Sequence, residues 1–202
     1  APTSDPQLGE PLFETKGVLF KDSTHFEMGR GTSSHYFAAR YAGALGNSLE
    51  VSIADAATFA TWKYKNEFDT APDNSNGSEV SVANALDEIH VVVVDRLGYF
   101  TRVAGTVLEK FSYLSKAKDA KDMTGSNSYY VNVLNRSSQY VYAVNPLGDA
   151  LMVDTDEVTS WGGELFVGKP LAQLAEAFTA SLGGGSDGTK PSKADYIEAY
   201  EQ

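Results

Sequence analysis

Hydrophobic residues in this chain fall in short β-forming runs, separated by clusters of Gly, Pro, Asn, Asp and Ser. Leu49-Glu50-Val51-Ser52-Ile53 alternates apolar and polar, the period that marks a half-buried strand. Ile89-His90-Val91-Val92-Val93-Val94-Asp95 is β-branched and too short for a helix, and its four consecutive Val predict a strand covered on both faces. Arg96-Leu97-Gly98 then leads into Tyr99-Phe100-Thr101-Arg102-Val103, which predicts a hairpin with its second strand at once after the Gly. Residues 106–115 alternate again, through Val107, Glu109 and Phe111. Tyr36 to Tyr41 and Gln139 to Val144 read as further extended segments, and Leu151-Met152-Val153 and Leu165-Phe166-Val167 as short strand candidates.

Helical signals are weaker. Residues 54–65 are Ala-rich and predict a short helix, 127–135 one to three turns, and 192–202 a last helix. Residues 18–31 are of mixed character. Residues 171–177 lean to helix and Phe178-Thr179-Ala180-Ser181-Leu182 to strand, so both readings stand there. Residues 70–78 and 183–190 are loops, 116–125 is charged and turn-like, and 1–17 reads as an arm. Gly46-Asn47 is expected to take a positive φ and aim the next strand into its sheet. Six to eight short strands with a few short helices predict an α+β fold, mostly antiparallel β-sheet, two-layered and sandwich-like. The domain division is an arm or linker over 1–35 and a β-rich domain over 36–202.

Composition narrows the function. Lys and Arg number 16 against 27 Asp and Glu, for a net charge of −11. Binding to phosphates rests on Lys and Arg, so nucleic acid and anionic membrane are not expected partners. No Cys is present, which excludes disulfides and thiolate chemistry. No stretch approaches the ~20 apolar residues of a membrane-spanning helix. The first residues show no signal peptide pattern. The absence of an initiating Met and a last helix without a C-cap fit a fragment of a longer chain.

Candidate chemistry is sparse. Residues 183–188 match G-x-G-x-x-G, but the sequence ends before the second strand and acidic residue that a dinucleotide site needs. The loop reads as flexible backbone. His25, His35 and His90 have no metal-ligand spacing; His90 reads as a buried or interfacial His, and His25 and His35 as solvated. Asp154, Asp156 and Glu157 form an acidic turn that could be a hard-cation loop or a carboxylate pair, but lacks an EF-hand pattern. No nucleophile elbow is present. No catalytic, cofactor-binding or metal residues are therefore assigned, and neither a cofactor nor an enzymatic activity is expected.

Three segments resemble the tail sheath proteins of contractile-tailed bacteriophages. The first runs Phe37-Ala38-Ala39-Arg40-Tyr41-Ala42-Gly43-Ala44-Leu45-Gly46-Asn47-Ser48-Leu49-Glu50-Val51-Ser52-Ile53, with Ala42 where the family has Pro. The second lies within 105–144, from Gly105-Thr106-Val107-Leu108-Glu109-Lys110-Phe111 to Ser138-Gln139-Tyr140-Val141-Tyr142. The third is Leu182-Gly183-Gly184-Gly185-Ser186-Asp187-Gly188 with Ala194-Asp195-Tyr196. The resemblance implies a structural protein of the virion, assembled in the host cytoplasm. It implies neighbouring sheath subunits as partners, in hexameric stacked rings, and a tail tube contacted through regions outside this chain. Contraction of such a sheath drives the tube through the host envelope for genome ejection. The chain is similar to the central, outward-facing domain of a larger subunit, and alone it is expected to be monomeric. The alternative is a β-rich carbohydrate- or surface-binding module using Trp62, Tyr64, Trp161 and Phe166 on exposed loops. A third reading is an acidic hydrolase using Asp154, Asp156 or Asp187.

Overall fold

The Val-rich run forms the centre of the fold. In the computed structural model, which describes residues 20, 22–29, 35–75, 86–147, 161 and 171–193, it is strand β3. The elements in chain order are α1 (Ser23–Gly29), β1 (Phe37–Ala39), β2 (Leu49–Asp55), β3 (Glu88–Asp95), β4 (Thr106–Ser115), α2 (Tyr130–Ser137), β5 (Val141–Ala143) and β6 (Phe178–Ser181). Four strands pair antiparallel in the order β4-β3-β2-β6, and β1 pairs antiparallel with β5 in a second, two-stranded sheet. The α+β, mostly antiparallel architecture read from the sequence is the one the chain adopts.

Both faces of the larger sheet are covered, as four consecutive Val require. Leu49, Val51 and Ile53 of β2 and Ile89, Val91 and Val93 of β3 face Tyr130, Val131 and Leu134 of α2 and Val141 of β5. The intervening residues Ala54, Val92 and Val94 meet Trp62 and Tyr64 on the other face. The alternation in β2 therefore does not mark a half-buried strand. Its polar residues are partners of buried groups: Trp62 Nε1 donates to Ser52 Oγ (2.9 Å), and Tyr64 OH donates to Glu50 Oε1 (3.2 Å).

Residues 54–65 do not form the expected helix. The Asp55 carboxylate accepts from the Thr58 amide (3.2 Å) and hydroxyl (3.0 Å), turning the chain as β2 ends. Short 3-10 turns at Phe59–Thr61 and Lys65–Glu67 follow and lay the aromatic rings on the sheet. The β3–β4 hairpin forms, but 99–103 is loop and the second strand starts at Thr106. Asp95 is the cause. Its carboxylate accepts from Ser48 Oγ (2.5 Å), the amides of Phe100 (3.0 Å) and Thr101 (2.7 Å), and Thr101 Oγ1 (2.8 Å). Local propensity for strand yields to a buried carboxylate that gathers backbone donors.

Residues 178–182 resolve to strand, with β6 beside β2, and 171–177 contains no helix. Within residues 1–35 the structure describes 20, 22–29 and 35; there α1 packs on the domain, with Phe26 stacked on Tyr142 at 4.3 Å and Phe20 edge-on to both rings. The strand candidates at 151–153 and 165–167, the arm at 1–17 and most of the helix at 192–202 lie outside the described residues.

Candidate functional site

The first and third resemblance segments meet in space. Asn47 Nδ2 donates to the Gly185 carbonyl (2.7 Å), and the Gly185 amide donates back to Asn47 Oδ1 (2.8 Å), across 138 residues of sequence. Beside this pair, the Ala44 amide donates to Asp187 Oδ1 (2.8 Å). A Cβ on Gly185 would run into the Gly43 carbonyl and Asn47 Oδ1, so only glycine lets the two backbones approach. The Gly-rich loop is thus a clasp on the turn before β2. Its amide at Gly185 is already engaged, and no phosphate-cradling role is supported.

Gly46-Asn47 does not take the positive φ expected of it. The two residues lie in a 3-10 turn at Ala44–Ser48, and Gly43 supplies the positive φ of 79° instead. Gly46 is needed for closeness: an added Cβ would meet the Tyr41 carbonyl and the Ala39 side chain. The sequence located the turn, but its handedness depends on which glycine abuts Asp187.

A second polar centre lies at the other end of β2. Lys116 Nζ bonds Asp55 Oδ2 (2.9 Å) and the Ala172 carbonyl (3.1 Å), and sits 4.9 Å from the Trp161 ring centroid. Both charged side chains are fully buried. Asp55 Oδ2 also accepts from the Leu174 amide (2.7 Å). Burial pushes the Lys116 ammonium down to about 8, even against the pull of the Asp55 carboxylate. The sequence reading missed this pair, because a lysine in a charged run reads as solvated. The Ser115-Lys116-Ala117 step out of a strand was its faint signal.

His90 is fully buried, as expected of a His inside the Val run. Its Nδ1 accepts from the Tyr113 amide (3.1 Å), which fixes Nε2 as the donor to the Thr70 carbonyl (2.9 Å). Burial holds its pKa below the ordinary value, in the neutral form, and Phe68 stacks on it at 4.2 Å. The Tyr113 amide reaches Nδ1 because β4 bulges there: Ser112 and Tyr113 together oppose His90, and Tyr113 has φ 54°. His25 and His35, expected to be solvated, are half-buried; His25 stands edge-on to Phe20, and the His35 carbonyl accepts from Asn145 Nδ2.

The aromatics of the carbohydrate-binding reading are not on exposed loops. Trp62, Tyr64 and Trp161 are at most 7 % exposed and pack in the two cores, so they offer no stacking platform. Phe166 and the acidic residues Asp154, Asp156 and Glu157 lie outside the described residues. Asp187 is exposed, and its carboxylate serves the clasp. Among the described residues no group of three or more His, Asp or Glu is placed to hold a metal ion, and no helix is long and apolar enough to cross a membrane.

No family model matches the chain. Over 96 residues, 46 % of its length, it is 36 % identical to the tail sheath protein of Salmonella phage ViI. The aligned part amounts to 13 % of that protein, so the chain spans only a small part of the relative it matches. The chain is thus similar to a bacteriophage tail sheath protein over nearly half of its length.

Proposed function

We infer that this chain is a structural, non-catalytic part of a contractile bacteriophage tail sheath, over 36–202 an outward-facing domain and over 1–35 an arm. The observation that carries the reading is the 36 % identity over 96 residues to a phage tail sheath protein. The clasp supports it, because the Gly-rich segment that resembles the family joins two backbones. The partners are neighbouring sheath subunits in hexameric stacked rings. The tail tube is gripped through regions outside this chain. Assembly takes place in the host cytoplasm and the product resides in the virion, of the myovirus type.

In this reading the domain works as a rigid body. Three ties fix its shape: the Asn47–Gly185 clasp, the Asp95-centred loop and the buried Lys116–Asp55 pair. A unit held this way moves whole and exchanges surface contacts when rings rotate and expand. That motion drives the tube through the host envelope for genome ejection.

The test uses the full-length subunit. Met123 is 90 % exposed, so a small tag there leaves the fold intact. Electron microscopy of intact and contracted tails is expected to show the tag repeating along the outer surface of the sheath. A tag confined to the baseplate or fibres, or absent from particles, would overturn the reading.

A further inference from the structure

Exposed large apolar side chains are few among the described residues, and they are not scattered. Tyr41, Leu45, Leu97, Tyr99 and Val103 make up five of the eight. They come from two segments that touch. The amides of Leu97 (3.1 Å) and Tyr99 (3.2 Å) donate to Ser48 Oγ, and Tyr41 stands edge-on to Phe100 at 5.0 Å. The group therefore caps the end of the larger sheet where β2 begins, β3 ends and β4 begins. Single exposed apolar residues need no explanation, whereas a contiguous group marks a contact surface.

Two features suit this end to binding. Its loop is held by three bonds to Asp95, and Ser48 braces the same carboxylate, so little freedom is lost on docking. Hydrogen bonds from Ser48, Thr101 and Phe100 keep that carboxyl below its ordinary pKa although burial alone pushes it up, so the brace persists into acid. The loop also carries Arg102, exposed at φ 68°. Tyr and Arg are the residue types enriched at interface centres.

The opposite end of the same sheet has the complementary character. There β2 ends, β3 begins and β4 ends. Asp73, Asp119 and Glu176 are exposed around it, with Glu88 half-buried beside them, against Lys118 and Lys121. Asp73 is fixed there by its carbonyl, which accepts from the Glu88 amide (3.0 Å), and by its amide, which donates to Glu88 Oε2 (3.0 Å).

We propose that the aromatic, arginine-bearing end of one copy docks on the acidic end of a second copy of this chain. Such a contact joins two different surfaces and so repeats from copy to copy, suiting a stacked array. It rests on the sheath reading and names a surface for it.

The chain has no Cys, so Val103→Cys can carry a single nitroxide spin label. The labelled chain is mixed at millimolar concentration with unlabelled, isotope-enriched chain. Amide signals of the second copy are expected to broaden around Asp73, Asp119 and Glu176. Arg102→Glu and Tyr99→Ser in the labelled copy are each expected to cut that broadening about tenfold. Broadening around 41–45 and 97–103 instead would mean that like ends meet, and would overturn the proposal, as would no broadening at all. The Met123 tag separates the two readings. A tagged sheath without broadening removes the end-to-end contact alone, and broadening with an untagged tail removes the sheath assignment alone.

Discussion

Replacing Asp55 by Asn tests the strongest internal tie. The carboxylate is fully buried and accepts four hydrogen bonds, from Lys116 Nζ, the Leu174 amide, and the Thr58 amide and hydroxyl. Asn is nearly the same size, so packing changes little. It leaves the Lys116 ammonium with the Ala172 carbonyl and the Trp161 ring, and with the Asp87 carboxylate as its remaining opposite charge. Breaking a buried pair by removing one partner costs about 3–5 kcal/mol, against a domain's usual ~5–15 kcal/mol. Lys116→Met alone is expected to cost less, because three protein donors still satisfy the carboxylate. The double variant is expected to recover about 2 kcal/mol or more relative to the sum of the singles, since it leaves no unpaired ion.

The assay is urea unfolding followed by tryptophan fluorescence, with Trp161 reporting directly on the pair. The midpoint is expected to fall with the slope unchanged. A loss below about 1 kcal/mol for Asp55→Asn, or additive single variants, would show that the pair is not coupled and sink the reasoning. A pH series adds an independent check. Lys116 titrates near 8 in the fold and at its usual 10.5 when unfolded. Between those values the unfolded chain holds the extra proton, so this group makes stability rise with pH. Burial raises Tyr129 to about 12 and holds Tyr130 well above its ordinary value, so above the ordinary tyrosine range their contribution falls with pH. Subtracting the Lys116→Met profile isolates the lysine, and a flat difference between 8 and 10.5 would contradict its buried, depressed state.

Gly185→Ala is expected to cost about 1–3 kcal/mol by forcing the clasp apart, whereas Gly188→Ala, with no atom near its Cβ position, is expected to change the Tm little. Asn47→Ala removes both clasp bonds and is expected to cost about 1–3 kcal/mol; equal Tm values for all three variants would refute the clasp. His90 holds its neutral form in the fold, so stability is expected to be full above the ordinary His range and to decline as pH falls toward the lowered folded pKa. The decline is read against His90→Gln in acid unfolding, and identical profiles would count against it. Removing 1–34 strips Phe20 and Phe26 from Tyr142 and is expected to lower the Tm while the larger sheet stays folded, read by thermal unfolding; an unchanged Tm would mean that α1 contributes nothing.

Much of the fold was legible because apolar pattern decides which strands are central. The Val run could only be a strand covered twice, and 106–115 and 139–144 followed from the same signal. What the pattern could not show was where polar residues work. Ser52 and Glu50 in an alternating strand look like a solvent face, yet they hold Trp62 and Tyr64. Tyr99 to Val103 have strand propensity, yet Asp95 folds them into a loop. In each case the deciding partner is a buried hydrogen bond, and short-range periodicity carries no record of it.

The clasp explains why some of the chain was recognisable all the same. A side chain that bonds a backbone 138 residues away must keep its amide geometry, and the facing residue must lack a Cβ. Asn47 and Gly185 are therefore fixed by one contact, and Asp187 is tied to the same turn through Ala44. These residues lie in Gly43-Ala44-Leu45-Gly46-Asn47-Ser48 and Gly183-Gly184-Gly185-Ser186-Asp187-Gly188, two of the segments whose sequence alone suggested a sheath protein. The Gly-rich string that imitates a nucleotide motif is spelled by this junction instead. A dinucleotide loop needs its amides directed at a ligand. Here the Gly185 amide is spent on Asn47, so the motif's meaning lies in the joint it closes.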